Sequence, residues 1–236
     1  MEPVDPFLVP FGTPRPERAD AVRNREHLLR TAREMIAAEG VDKVTMDGLA
    51  ERAGLGKGTV FRRFGTRAGI FRALLDADER RFQEQVLSGP PPLGPGAEPV
   101  ERLIAYGRAR TAFLLDHQAI ARAGLDRNRP VPASGASLTQ LHLRMLLLQA
   151  APMPHLDAVT VQLTAALEGP LVLYLSRPEG EAPLDPGAAG FFGDAWQTLI
   201  ERLVHGPQAG PARDSRRDSR HDNGHDSRCG DRKGAL

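Results

Sequence analysis

Between Thr45 and Phe64, in the run TMDGLAERAGLGKGTVFRRF, the chain collects the residue types that hold an anion. Lys57, Arg62 and Arg63 supply cationic donors, and Thr45 and Thr59 supply hydroxyls. Their spacing predicts two short helices joined by a tight turn. Thr45 suits an N-cap, because its hydroxyl can accept an otherwise unpaired backbone N–H. Leu49 and Ala50 give a small apolar face, and Gly54 can take the positive φ that the turn requires. Val60 and Phe64, four residues apart, form the inward stripe of the second helix, and the cations lie largely off it. A short helix with an apolar back and a cationic front suits insertion into a DNA major groove.

Charge supports this locally and not globally. The chain of 236 residues carries a formal net charge of +1, so bulk electrostatics do not point to a nucleic acid. From Ala53 to Leu75, however, Lys57, Arg62, Arg63, Arg67 and Arg72 occur with no acid among them. Neutralising phosphates and releasing their counterions requires a patch of this kind.

The stretch from Arg25 to Leu75 resembles the N-terminal DNA-binding domain of the tetracycline-repressor-like (TetR) family of bacterial regulators. The resemblance rests on LLRTAREMIAAEG (28–40), the run 45–64 and the following GTRAGIF. It implies phosphate contacts from Thr45 and Thr59 at the starts of the two motif helices. It implies base or phosphate contact from Lys57, close backbone approach at Gly58, and phosphate contacts from Arg63 and Arg67. Phe61 and Arg62 complete the expected DNA-binding set. Two positions depart from the family pattern: Gly56 stands where serine is common, and Phe61 where tyrosine is usual. Each missing hydroxyl removes one modest hydrogen bond, about 1 kcal/mol.

The elements around the motif read as helical throughout, with no strand-like alternation. Thr66 is placed to cap a helix running through Phe71, Leu74 and Leu75 to about Leu87. The Pro/Gly segment 89–96 must be a loop. Further helices are expected near 98–116, 117–125, 137–151, 155–176 and 187–204. The expected fold is all-α: a three-helix helix-turn-helix domain (20–66) followed by a helical ligand-binding and dimerisation domain (67–205). A disordered arm (1–19) and a disordered polar tail (206–236) flank them. The arm contains Pro3, Pro6, Pro10, Pro14 and Pro16 and has no apolar signal-peptide core.

Residues 158–175 are apolar around most of a helix circumference, which demands burial on several sides. Their interruptions by Thr160, Gln162, Thr164 and Gly169-Pro170 favour a buried helix over a membrane span. The resemblance implies that the last two long helices pair with those of a second copy. Leu163, Leu167, Leu171, Phe192, Trp196 and Leu199 are the expected dimer contacts. It also implies a cavity for a small apolar or aromatic effector between the helices from about 98 to 176. Tyr106, Phe113, His117, His142, Met145 and Leu146 are the residues proposed to line it, although for Tyr106, Phe113, His117 and His142 ordinary core packing is the favoured account.

No paired carboxylates, nucleophile-base pairing or phosphate-cradling glycine loop supports catalysis, so an enzyme is not expected, nor is a cofactor. His221, His225 and Cys229 are spaced by four in the tail, but a three-ligand set without a folded frame makes no metal site. The lone cysteine excludes an internal disulfide and suits a reducing cytoplasm. The resulting expectation is a homodimeric, cytoplasmic bacterial repressor on a palindromic double-stranded operator, released by a small molecule. Two alternatives stay open: a DNA binder without an effector, and a helical ligand-binding protein that has lost its DNA function.

Overall fold

The computed structural model describes residues 16–125, 138–178, 182, 184–185 and 187–206. Every regular element among them is helical: α1 (Pro16–Glu39), a 3-10 turn (Val41–Lys43), α2 (Met46–Ala53), α3 (Lys57–Phe64), α4 (Arg67–Ser88), α5 (Pro99–Asp116), α6 (Gln118–Ala123), α7 (Leu138–Ala150), α8 (Leu156–Leu175) and α9 (Ala188–His205). The expected arm 1–19 is shortened by this placement. Pro16 opens α1, where its fixed φ suits a first helical residue. Residues 1–15 and the tail beyond Gly206, with His221, His225 and Cys229, lie outside the described residues.

Two cores explain the arrangement. In the first, α1 places Leu28, Leu29, Ala32 and Met35 on one stripe against Leu49 and Ala50 of α2 and Val60 and Phe64 of α3. Ile70, Phe71 and Leu74 of α4 close it. The second core takes Phe82 and Val86 from the far half of α4. To these it adds Leu103 and Tyr106 of α5, Leu143, Leu146 and Leu147 of α7, Leu163 and Leu167 of α8, and Trp196 and Ile200 of α9. A boundary at residues 66/67 therefore cuts too early, since the first turns of α4 belong to the N-terminal core. α4 is one rigid rod shared by both halves.

Polar contacts join the halves beside that rod. Asp78 of α4 accepts from Arg33 of α1 at 2.7 Å and from Arg81 at 3.3 Å, and His117, just past α5, lies 3.3 Å from it. The next residue, Glu79, accepts from Arg110 of α5 at 2.6 Å, and the Arg110 guanidinium also lies over the rings of Phe82 and Phe113. Arg110 is buried, and Glu168 of α8 stands 3.7 Å from it on another side. The charge thus has partners on both flanks, as a buried cation requires.

Candidate nucleic-acid interface

α2 starts because Thr45 caps it, accepting from the Gly48 N–H at 3.0 Å. It stops at Gly54, whose φ of 63° lies in the left-handed region that closes the helix. α3 then begins after Gly56, which supplies no side-chain cap. Val60 and Phe64 point into the first core, while Lys57, Gly58, Phe61, Arg62 and Arg63 are exposed and Thr59 is half-buried. The presented face therefore alternates cations with an aromatic ring and a bare glycine, and a Cβ on Gly58 would meet nothing within 4 Å.

The cations differ in what holds them. Lys57 Nζ pairs with Asp47 Oδ2 of α2 at 3.0 Å. Arg63 donates to the Ala21 carbonyl of α1 at 2.9 Å. Arg67 turns inward: its Nε donates to the Val44 carbonyl at 2.7 Å and its Nη2 to the Val41 carbonyl at 2.8 Å, with the guanidinium 4.9 Å from the Phe71 ring centre. It fastens α4 to the 3-10 turn and is half-buried in doing so. Arg52 pairs with Glu39. Beside α3, an open cleft of about 510 Å³ is lined by Asp20, Ala21, Asn24 and Leu28 of α1 together with Thr59, Arg62 and Arg63.

Sequence reasoning missed Asp47 and the α1 residues of this cleft. Asp47 had a readable signal. It lies ten positions before Lys57, just outside the acid-free window, in a helix that must cross α3 closely. Ala21 and Asn24 had none, because their role depends on how α1 lies across α3.

The residues expected around an effector separate. Tyr106 and Leu146 are fully packed in the second core, and Tyr106 donates to Thr139 Oγ1 at 2.8 Å. Burial pushes the Tyr106 phenol up, against the lowering effect of the Thr139 bond and of Arg110. His142 is 4% exposed, lies 4.8 Å from the Tyr106 ring, and its Nε2 has no hydrogen-bond partner among the described residues. Burial, with Arg102 adding to it, lowers its pKa to about 4. Phe113 stacks on His117 at 4.2 Å beside α4. Met145 faces outward at 40% exposure, so it does not share an inner wall with Leu146: adjacent residues on a helix point about 100° apart. A cavity of about 130 Å³ in this half is lined instead by Thr111, Ala166, Leu167, Pro170, Phe192, Ala195, Trp196 and Leu199.

The expected dimer contacts are also redistributed. Leu163, Leu167 and Trp196 are buried within the single subunit, and Leu171 and Phe192 are half-buried. Of the six, only Leu199 is exposed. The outward apolar surface of α8 and α9 is carried by Val161, Val172, Leu173 and Phe191 as well as Leu199. α8 is long and apolar enough to cross a membrane by length and composition, yet only 22% of that stretch is buried in the subunit. α7, α5 and α6 pack on part of it and, among the described residues, leave Val161, Val172 and Leu173 exposed.

Residues 28–74, which span this whole motif and its core, match the family described as bacterial regulatory proteins, tetR family. This stretch is similar to the DNA-binding domain of the TetR family. Family members are transcription regulators and not enzymes. Among curated relatives, the HTH-type transcriptional regulator SrpR of Pseudomonas putida is 28% identical over 131 residues, covering 52% of this chain and 60% of that protein. The DNA-binding transcriptional repressor TetR of Mycobacteroides abscessus is 34% identical over 59 residues, covering 25% and 31%. The chain thus spans less than two thirds of the length of these relatives. Among solved structures, a TetR transcriptional regulator from Rhodococcus sp. RHA1 is 23% identical with a TM-score of 0.46, covering 80% of this chain and all of that one. NalD of Pseudomonas aeruginosa, the secondary repressor of the MexAB-OprM multidrug efflux pump, is 17% identical with a TM-score of 0.43, covering 75% and 95%.

Proposed function

We propose that this chain is a homodimeric, cytoplasmic repressor of the TetR family that binds a palindromic operator through α3 and is released by a small apolar effector. The observation that carries the reading is the exposed face of α3. Lys57, Phe61, Arg62 and Arg63 project from a helix whose other side, Val60 and Phe64, is locked into the first core. Thr45 and Thr59 add hydroxyls beside backbone N–H groups at helix starts, where an anion is favoured. Arg67 enters this reading as a brace for the α4 start, and only through that as a determinant of phosphate contact.

The dimer is supported by the exposed apolar side chains of α8 and α9. A second copy covers Leu173 and Phe191 without requiring lipid, and a two-fold pair of α3 helices spaced about 34–36 Å apart matches one palindrome. The effector reading is supported by the cavity beside Trp196. Its volume of about 130 Å³ suits a single ring. Pro170 has no N–H, so the carbonyl of Ala166 four residues earlier lacks its helical donor, and both residues line that cavity. A ligand that prefers one spacing of the two α3 helices changes DNA affinity by that preference.

Selection of duplexes from a random pool by the purified chain tests the core of this reading. The expected product is a palindrome whose half-sites are one helical turn apart. Recovery of unrelated sequences, with affinity set by salt alone, would leave a non-specific DNA binder in its place.

A further inference from the structure

We propose that Asp47 is a specificity-determining residue: its carboxylate, by holding Lys57, withholds that cation from the phosphates of non-target DNA. The proposal rests on the DNA-binding reading of α3. Lys57 is the first residue of α3, and a cation there faces the positive end of the helix dipole. The position therefore costs α3 stability, and nothing inside the fold requires a lysine: its side chain is 74% exposed and its only partner among the described residues is Asp47. Asp47 is 69% exposed. An ion pair this open contributes little to stability and is easily exchanged for another anion. Its consequence falls on the DNA, because both members sit at the edge where α2 and α3 present themselves.

On a random duplex the phosphates compete with a carboxylate already 3.0 Å from the ammonium. The same carboxylate repels the approaching strand, so the contact yields little counterion release. On a matched site the situation differs. An ammonium has three donors, so Lys57 can give one to an acceptor on a base edge and keep another on Asp47. The pair thus penalises wrong sequences more than right ones, which is how specificity gains from a repulsive element. Asp47 also sits in the first turn of α2, where a negative charge favours the helix by itself. The two roles separate, because only the first acts through Lys57.

The experiment measures affinity for two probes, the duplex selected by the wild-type chain and the unselected random pool, across 50–200 mM salt. For Asp47→Asn the random pool is expected to gain about one phosphate contact. The salt slope steepens by about 0.9, which changes affinity about 3.5-fold across that range. The selected duplex gains less, so the ratio between the probes falls. Asp47→Glu should restore the wild-type ratio, and the effect should vanish when Asp47→Asn is made in a Lys57→Ala background. An equal gain on both probes, no gain on either, or persistence without Lys57 each overturns the proposal. Failure of the wild-type chain to retard any duplex at low salt would instead remove the DNA reading on which it rests. A thermal midpoint within a degree or two of wild type certifies that the variant is folded.

Discussion

Trp196 of α9 lies directly against Gly107 of α5. Its indole Nε1 donates to the Leu103 carbonyl at 2.8 Å, and a Cβ built on Gly107 would stand 2.0 Å from that same nitrogen. The indole is 4% exposed, so the bare backbone of Gly107 is what lets α9 settle onto α5, its most extensive partner. Gly107→Ala must push the indole outward and break its bond to Leu103. The gain in helix propensity, up to about 1 kcal/mol, is outweighed by overpacking of about 1–3 kcal/mol and the lost hydrogen bond of about 1 kcal/mol. The variant should melt several degrees lower in calorimetry. An unchanged or raised melting temperature would show that α9 is not seated this way.

Arg62 and Arg67 are both basic residues of the motif region, yet they should behave differently when removed. Arg67 is bonded to the Val41 and Val44 carbonyls, so Arg67→Ala should cost about 1.5–3 kcal/mol of stability. Arg62 is exposed and has no polar partner among the described residues. Arg62→Ala should leave stability within about 0.5 kcal/mol and make the salt dependence of DNA binding shallower by about 0.9. Urea unfolding and anisotropy titration of the two variants check this. Equal loss of stability in both would reject the assignment of Arg67 as a brace.

Two positions invite gain of function. Gly56 precedes α3 in an extended conformation (φ −65°, ψ 140°), and a Cβ there meets nothing within 4 Å. Phe61 is 65% exposed on the same helix. Gly56→Ser and Phe61→Tyr each add a hydroxyl where a phosphate is expected, worth about 1 kcal/mol, or roughly fivefold in affinity. Stability should barely move, because a serine N-cap exceeds glycine by only a few tenths of a kcal/mol. Unchanged DNA affinity in both variants would mean that this edge of α3 stands away from the backbone.

What the sequence revealed, and what it hid, follows from the range of the interactions. The caps at Thr45 and Thr66, the turn at Gly54 and the inward Val60–Phe64 stripe depend on neighbours within four residues, and all were legible. The destination of Arg67 was not, because Val41 and Val44 come within its reach only when α4 folds back on the 3-10 turn. Trp196 and Leu163 read as an outer seam because α9 and α8 look amphipathic or apolar in isolation. Which side faces α5 or α7, and which faces outward, is decided by contacts such as Gly107 with Trp196, more than eighty residues apart. Periodicity alone gives the stripe and not its partner.

That redistribution changes which substitutions should dissociate a dimer. Leu173 is 69% exposed on α8, whereas Leu163, ten residues earlier on the same helix, is buried in the second core. Leu173→Glu should yield a folded monomer in sedimentation velocity at micromolar concentration, since it places a charge in the apolar patch at little cost to the subunit. Leu163→Ala should lower stability by about 2–5 kcal/mol through the cavity it leaves, without a matching loss of self-association. A dimer that survives Leu173→Glu would locate the contact on another surface.

The acid limb of stability should carry the signature of His142. Its folded pKa is lowered to about 4 because burial disfavours the imidazolium, and Arg102 adds to the penalty. In the unfolded chain the same group titrates near 6.5. Between those values the unfolded state binds a proton that the folded state refuses, so stability rises with pH across that window. The contribution is fully present above pH 6.5 and is lost progressively as pH falls toward 4. A difference of this size corresponds to about 3 kcal/mol at the acid end. His142→Leu places an apolar side chain of similar bulk beside Leu143 and Leu146 and removes both the titration and the Nε2 that has no partner among the described residues. Urea unfolding at steps from pH 7 to pH 4 should therefore give a flatter profile for the variant, with the two curves diverging most at pH 4. Parallel curves would mean that the His142 ring reaches water or a proton acceptor in the folded chain.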